Sequence, residues 1–69
     1  MRIETLTRMS GQIAANCVGL PDDQATTRIC DHLHAFWTPA MITELRSYDA
    51  EHPGELDPRV STALGRLAR

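Results

Sequence analysis

The sequence contains no lysine, only two cysteines and only three aromatic side chains among its 69 residues. Seven arginines therefore supply all of the fixed positive charge of its side chains, and nine acidic residues outnumber them, which leaves a net charge of −2. Affinity for nucleic-acid phosphate depends on clustered positive charge. This balance disfavours DNA or RNA as a partner.

The small number of cysteines and the short apolar segments exclude two further classes of protein. Cys17 and Cys30 are too few for a disulfide framework. The first residues do not resemble an export signal, which combines a charged start with a continuous apolar run, and no apolar stretch approaches the roughly 20 residues needed to cross a bilayer. We therefore expect a soluble protein in a reducing compartment.

The short chain limits how much core the protein can build. Residues 1–69 form at most one domain, and a fold of about this size buries only about 60% of the surface that its unfolded chain exposes. Domains of this kind commonly gain their missing stability from disulfides, a metal or another chain. Because disulfides are disfavoured, we expect association with a partner protein.

Apolar residues in the first half of the chain recur at spacings of three and four, as on one face of a helix. A first helix is predicted to end at Gly19 and Pro21. A second is predicted to begin at Asp22–Asp23, where carboxylates suit the positive end of a helix dipole, and to end at Trp37, because Pro39 disfavours helical backbone in the residue before it. The two predicted apolar faces are Leu6, Met9, Ile13, Cys17 and Leu20, then Ala25, Ile29, Leu33 and Phe36.

Two cap-plus-proline pairs predict the remaining helices. Thr38 and Pro39 have the composition of an N-cap followed by proline at the first helical position, and Asp57 and Pro58 repeat it. Residues 51–55 are predicted to form a turn between these helices. The predicted apolar faces are Met41, Ile42, Leu45 and Tyr48, then Val60, Ala63, Leu64 and Leu67. The fold class predicted for the chain is all-α, a small bundle of about four short helices.

One cluster has the residue types of a zinc site, namely Cys17, Cys30, His32 and His34. Residues four apart share a helix face, so Cys30 and His34 are compatible with one ion, but His32 points nearly opposite to both. A free cysteine also commonly packs as a small apolar residue. With no phosphate-binding glycine loop and little room for a pocket, we predict no catalytic residue, cofactor or metal in this chain.

The residues most typical of a protein interface are two adjacent aromatics and a polar pair. Phe36 and Trp37 are about 100° apart around a helix, so both cannot lie fully inside one small core. One of them fills the core, and the other either covers its rim or anchors a partner. Arg8 and Gln12 lie four apart beside the first apolar face, where they form either a solvated surface or a docked one.

Three segments of the chain together resemble a known family. The most specific is the Phe-Trp-x-Pro-x-Met string at residues 36–41, which His32 and Leu33 precede and Leu-Asp-Pro at 56–58 follows. The other matching residues are Leu6, Arg8, Met9, Gln12, Ile13, Ala14 and Val60. From about Leu6 to Leu67 the chain resembles the delta subunit of NAD-dependent formate dehydrogenases, although Gly11 and Ala40 stand where that family often has asparagine and arginine.

The resemblance implies a small, non-catalytic accessory subunit of a soluble, cytoplasmic complex that oxidises formate and reduces NAD⁺. In such complexes other subunits hold a molybdenum or tungsten pterin, iron–sulfur clusters and flavin (FMN). Two cysteines are too few to ligate a cluster with the usual four. The chain is thus expected to support the assembly or stability of the catalytic subunit.

The partner-binding residues predicted from these observations are Arg8, Gln12, His32, Phe36 and Trp37. Three alternatives stay open from the sequence. The chain could self-associate without a larger enzyme, bind DNA through a helix-turn-helix formed by the second and third helices, or act as a small zinc-dependent regulator.

Overall fold

The computed structural model describes residues 2–68, which form four α-helices and no strand. The helices are α1 (Ile3–Ala15), α2 (Asp22–Phe36), α3 (Pro39–Glu51) and α4 (Pro58–Leu67). They fold into a body of 29 × 23 × 20 Å. The predicted all-α class is confirmed. None of these helices has the length and apolar character needed to span a bilayer.

Both cap-plus-proline pairs start a helix where the sequence predicts one. The Oγ1 atom of Thr38 accepts a hydrogen bond from the Met41 N–H at 3.2 Å, with Pro39 as the first residue of α3. Asp57 Oδ1 accepts one from the Arg59 N–H at 2.9 Å at the start of α4. These bonds satisfy N–H groups that have no partner within the helix. A turn with φ of +88° at Gly54 separates the two helices.

The first helix is shorter than predicted. It ends at Ala15, and residues 16–20 form a turn, so Cys17 and Leu20 lie beyond the helix. At this end of the helix the carbonyl of Ala14 accepts bonds from the Cys17 N–H at 3.0 Å and from Arg59 Nη2 at 3.2 Å. Cys17 is nevertheless buried, and its thiol lies 3.4 Å from the Ile13 carbonyl oxygen.

The core lies between α2 and α4, which pack most extensively against each other, with α1 and α3 covering the remaining sides. Its apolar side chains come from all four helices and the segments that join them. They are Leu6, Ala14, Cys17, Ala25, Ile29, Leu33, Trp37, Leu45, Leu56, Val60, Ala63 and Leu64. The predicted apolar faces therefore supply most of the core.

Phe36 is the exception, since it was assigned to the apolar face of α2 but is 74% exposed. It is the last residue of α2, and the backbone becomes extended at Trp37, with φ of −97° and ψ of 145°. The indole of Trp37 enters the core instead and is only 6% exposed. Thus Trp37 is the core aromatic of the pair and Phe36 the surface one.

Polar contacts join helices that are distant in sequence. Ser61 Oγ donates to Asp49 Oδ1 at 2.9 Å, which connects α4 to α3. Arg66 Nη1 donates to Thr27 Oγ1 at 3.1 Å, which connects α4 to α2. Together with the bond from Arg59 to α1, these contacts make α4 the helix that holds the other three in place.

Candidate protein-docking surface

A shallow groove of about 220 Å³ lies between α1 and the C-terminal half of α2. We call it the Trp37 groove. Its lining residues are Met9, Gln12, Ile13, Asn16, His32 and Trp37. Three of the five predicted partner-binding residues therefore lie around one depression. Its volume is below the roughly 300–1,000 Å³ typical of small-molecule sites.

Helix α1 supplies one wall of the groove through two kinds of residue. Met9 and Ile13 are half-buried and pack against the core with their inner sides. Gln12 and Asn16 are exposed, and they share a helix face because Asn16, the C-cap, keeps helical backbone with φ of −75° and ψ of −6°. The wall thus offers apolar surface beside two amide groups, each able to donate and to accept hydrogen bonds.

Helix α2 supplies an aromatic edge to the same groove. The ring centroids of His32 and Phe36, four residues apart, are 4.8 Å from each other at an interplanar angle of 44°. His32 lines the groove, and Phe36 stands beside it in solvent. Phe36 and Val18 are the two large apolar side chains that are strongly exposed within residues 2–68. This edge of the groove thus joins a lining residue to an exposed apolar ring.

The remaining predicted residues differ in how they reach this surface. Trp37 forms a wall of the groove with the small part of its side chain that is not buried. Arg8 is exposed one turn before Gln12 and does not line the groove. We use the term docking face for the Trp37 groove together with Phe36 and Arg8.

The cysteines and histidines considered for zinc are not brought together. His32 lines the Trp37 groove, whereas His34 lines a different groove beside α3. Cys17 is buried and Cys30 is half-buried, and both thiols are free. Among residues 2–68, no three His, Cys, Asp or Glu side chains lie close enough to hold a metal ion together.

The clearest electrostatic effect lies at the start of α4, away from the groove. The guanidinium of Arg59 binds both carboxylate oxygens of Asp57, with Nε–Oδ1 at 3.0 Å and Nη2–Oδ2 at 2.9 Å. These hydrogen bonds lower the pKa of Asp57 and raise that of Arg59. Since Arg59 also binds the Ala14 carbonyl, this ion pair fixes the end of α1, where Asn16 joins the docking face.

At the C-terminal end of α3, a hydrogen bond from the Tyr48 hydroxyl to Glu55 raises the pKa of Tyr48. The Tyr48 ring stacks on His52, with centroids 4.3 Å apart. This cluster lies in the turn between α3 and α4 and fastens it to α3. We interpret the contacts among Tyr48, His52 and Glu55 as structural.

Sequence reasoning missed three lining residues of the groove. Met9 and Ile13 were assigned to the core face alone, although half-buried residues at the edge of an apolar face also form surface. Asn16 was not considered, although its spacing of four from Gln12 placed it on the same face. The bond from Arg59 to the Ala14 carbonyl had no local signal, because the two residues are 45 apart in sequence.

The comparison with known protein families agrees with the resemblance seen in the sequence. A family model described as NADH-dependent formate dehydrogenase delta subunit FdsD matches residues 5–64. The match covers α2 and α3 completely, α1 from Thr5 onward and α4 as far as Leu64. It therefore includes every residue of the docking face. No curated protein and no solved structure matches this chain.

Proposed function

The chain belongs to the family of NADH-dependent formate dehydrogenase delta subunits, and on that premise we propose that it is an accessory subunit that binds another subunit of the enzyme through the docking face. The observation that carries the proposal is the exposed Phe36 beside a groove where Gln12, His32 and Trp37 meet. The proposal assigns the binding to this one face of the bundle.

The energetics of Phe36 support a binding role. A phenyl ring that is 74% exposed contributes little to the fold of the isolated chain. Full burial of a Phe side chain is worth roughly 1.5–3 kcal/mol, and binding hot spots lie in well-packed, fully desolvated pockets. Most of that gain is therefore available only when a partner covers the ring.

The amides on α1 suit the polar part of such an interface. Gln12 and Asn16 can pair with backbone groups of a partner strand or loop, since each side chain donates and accepts hydrogen bonds. Arg8, one turn earlier, can reach a carboxylate at the rim. An apolar centre with polar residues around it is the usual organisation of a specific protein interface.

We further propose that the chain is not catalytic and that it supports the assembly or stability of the catalytic subunit in the cytoplasm. The partner subunits would hold the molybdenum or tungsten pterin, the iron–sulfur clusters and FMN. Two free thiols, of which one is buried, do not provide the four ligands of a cluster. The chain would then contribute to the complex by covering part of the surface of another subunit.

The test is co-expression of the tagged chain with the other subunits, followed by purification and quantification of bound catalytic subunit. Replacement of Phe36 by Ser should lower the recovered complex at least tenfold, since it removes the exposed anchor without opening a core cavity. Val18→Ser is the matched control, because Val18 is also strongly exposed but lies in the turn after α1 and is not part of the docking face. Equal recovery for both variants would contradict the proposal.

One alternative uses the same face. An exposed Phe36 next to an apolar groove also suits self-association of this chain, because a two-fold interface would place each ring on the partner copy. Sedimentation equilibrium of the isolated protein distinguishes the two. A stable dimer that Phe36→Ser dissociates, with no effect of that variant on recovery of the catalytic subunit, would favour self-association.

A further inference from the structure

A second groove, of about 250 Å³, lies where α2, α3 and α4 meet. We call it the Arg46 groove. Its lining residues are His34, Pro39, Ile42, Thr43, Arg46 and Leu67. His34 is two residues from His32, and positions two apart on a helix point about 200° apart. The two grooves therefore lie on different sides of α2.

The floor of the Arg46 groove is apolar and incompletely covered. Ile42 and Leu67 pack against the core but remain half-buried. Pro39 extends this surface at the first turn of α3. Leucine-sized side chains of another molecule can pack here without displacing any core residue.

The rim of this groove is basic. Arg46 and His34 are two of its six lining residues, and none of the six is acidic, although the whole chain carries a net charge of −2. The nearest acid on α2, Asp31, lies one turn before His34 and lines a separate depression. Arg46 therefore supplies the one fixed charge among the lining residues, although Glu44 and Asp49 lie two and three residues from it on α3.

Arg46 differs from Arg59 and Arg66, which bind other residues of the fold. Within residues 2–68, the guanidinium of Arg46 makes no hydrogen bond and no ion pair, unlike those of Arg59 and Arg66. Arg46 is half-buried and lines the groove. A planar, weakly hydrated guanidinium beside apolar surface is well suited to bind a carboxylate through two hydrogen bonds.

We propose that the Arg46 groove binds an acidic, aliphatic peptide segment of a partner protein. A carboxylate of that segment pairs with Arg46, and a leucine-type side chain next to it packs on Ile42 and Leu67. The basic rim and the apolar floor together select this chemistry over a neutral or basic segment. The inference concerns a surface separate from the docking face and holds whatever binds at the Trp37 groove.

The test uses the isotope-labelled full chain and two capped synthetic hexapeptides, one alternating Leu with Asp and the other alternating Leu with Asn. In NMR titrations the acidic peptide should shift the amide signals of Ile42, Thr43 and Arg46, and it should bind at least fivefold more tightly than its neutral twin. Added salt should reduce that preference. Equal affinity of the two peptides, absence of binding, or shifts centred on α1 would overturn the proposal.

Two variants localise the effect. Arg46→Gln should abolish the preference for the acidic peptide, whereas Arg28→Gln, an equal loss of charge at an exposed position of α2, should preserve it. If Arg46→Gln fails to fold, the comparison of the two peptides on the unmodified chain still decides. An unchanged preference in Arg46→Gln would refute the assignment, as would a dimer of the unmodified chain that this variant dissociates, since the groove would then belong to a second copy.

Discussion

The neighbouring aromatics at the end of α2 provide the sharpest test of the structure. Trp37 is 6% exposed and Phe36 is 74% exposed. Truncation of a buried Trp or Phe to Ala costs roughly 3–5 kcal/mol, whereas surface substitutions usually change stability by less than about 0.5 kcal/mol. We therefore expect Trp37→Ala to be strongly destabilising and Phe36→Ala to be nearly neutral.

The expected loss at Trp37 is large relative to the whole protein. At roughly 0.05–0.15 kcal/mol per residue, a chain of 69 residues has a free energy of unfolding of about 3.5–10 kcal/mol. A loss of roughly 3–5 kcal/mol is about a third or more of that free energy, so at the lower end of the range a substantial fraction of Trp37→Ala would be unfolded without a partner. Trp37→Phe, which keeps a ring in the site, should retain measurable stability.

The assay is urea unfolding of the isolated variants, followed by far-ultraviolet circular dichroism at one fixed protein concentration. Val18→Ala serves as the control for Phe36→Ala, since both remove an exposed apolar side chain. Similar losses for Phe36→Ala and Trp37→Ala would refute the assigned positions of the two rings. So would a Trp37→Ala protein within about 1 kcal/mol of the parent, because no buried indole is replaced at so small a cost.

Three further expectations concern the helix ends and glycines. Asp57→Ala should lower the free energy of unfolding by roughly 0.5–2 kcal/mol through loss of the N-cap, as measured in urea; no loss would contradict the cap. Arg59 lowers the folded-state pKa of Asp57, so the stabilising effect of the Asp57 charge is present above the ordinary pKa of 3.8 and is lost as the pH falls through the folded-state value. The stability difference between the parent and Asp57→Asn should therefore shrink in acid. A constant difference would argue against the ion pair. Gly65→Ala should stabilise α4 by roughly 0.5–1 kcal/mol, since the new Cβ meets nothing within 4 Å. Gly54→Ala should destabilise the protein, because Gly54 has a φ of +88°. Thermal melts check whether the two changes have opposite signs.

The helices could be predicted because their signals are local. Thr38–Pro39 and Asp57–Pro58 specify helix starts within a few residues, and the contacts of both caps are present in the structure. The turn that contains Gly54 also lies where the pattern indicates it. Each of these features depends on side chains adjacent in sequence, so one sequence suffices to identify it.

The sequence identified the candidate docking residues by residue type, but it did not show where they lie relative to one another. Gln12, His32 and Trp37 meet at one groove, whereas Arg8 lies apart from it. Their role as partner contacts stays a prediction until the complex is tested. The early end of α1 was not predicted, and one contact made there, from Arg59 to the Ala14 carbonyl, comes from a residue 45 positions away.

By itself, the sequence determined the helical class, the starts of α2, α3 and α4, most of the apolar faces and the resemblance to a family, all of which follow from spacing and local chemistry. Only the tertiary structure decided that Trp37 is buried and Phe36 is exposed, and that His32 and His34 line separate grooves. The physical reason is that the burial of a side chain depends on which helices pack beside it. The pattern of a helix in sequence shows which residues are apolar, but not which of them a neighbouring helix buries.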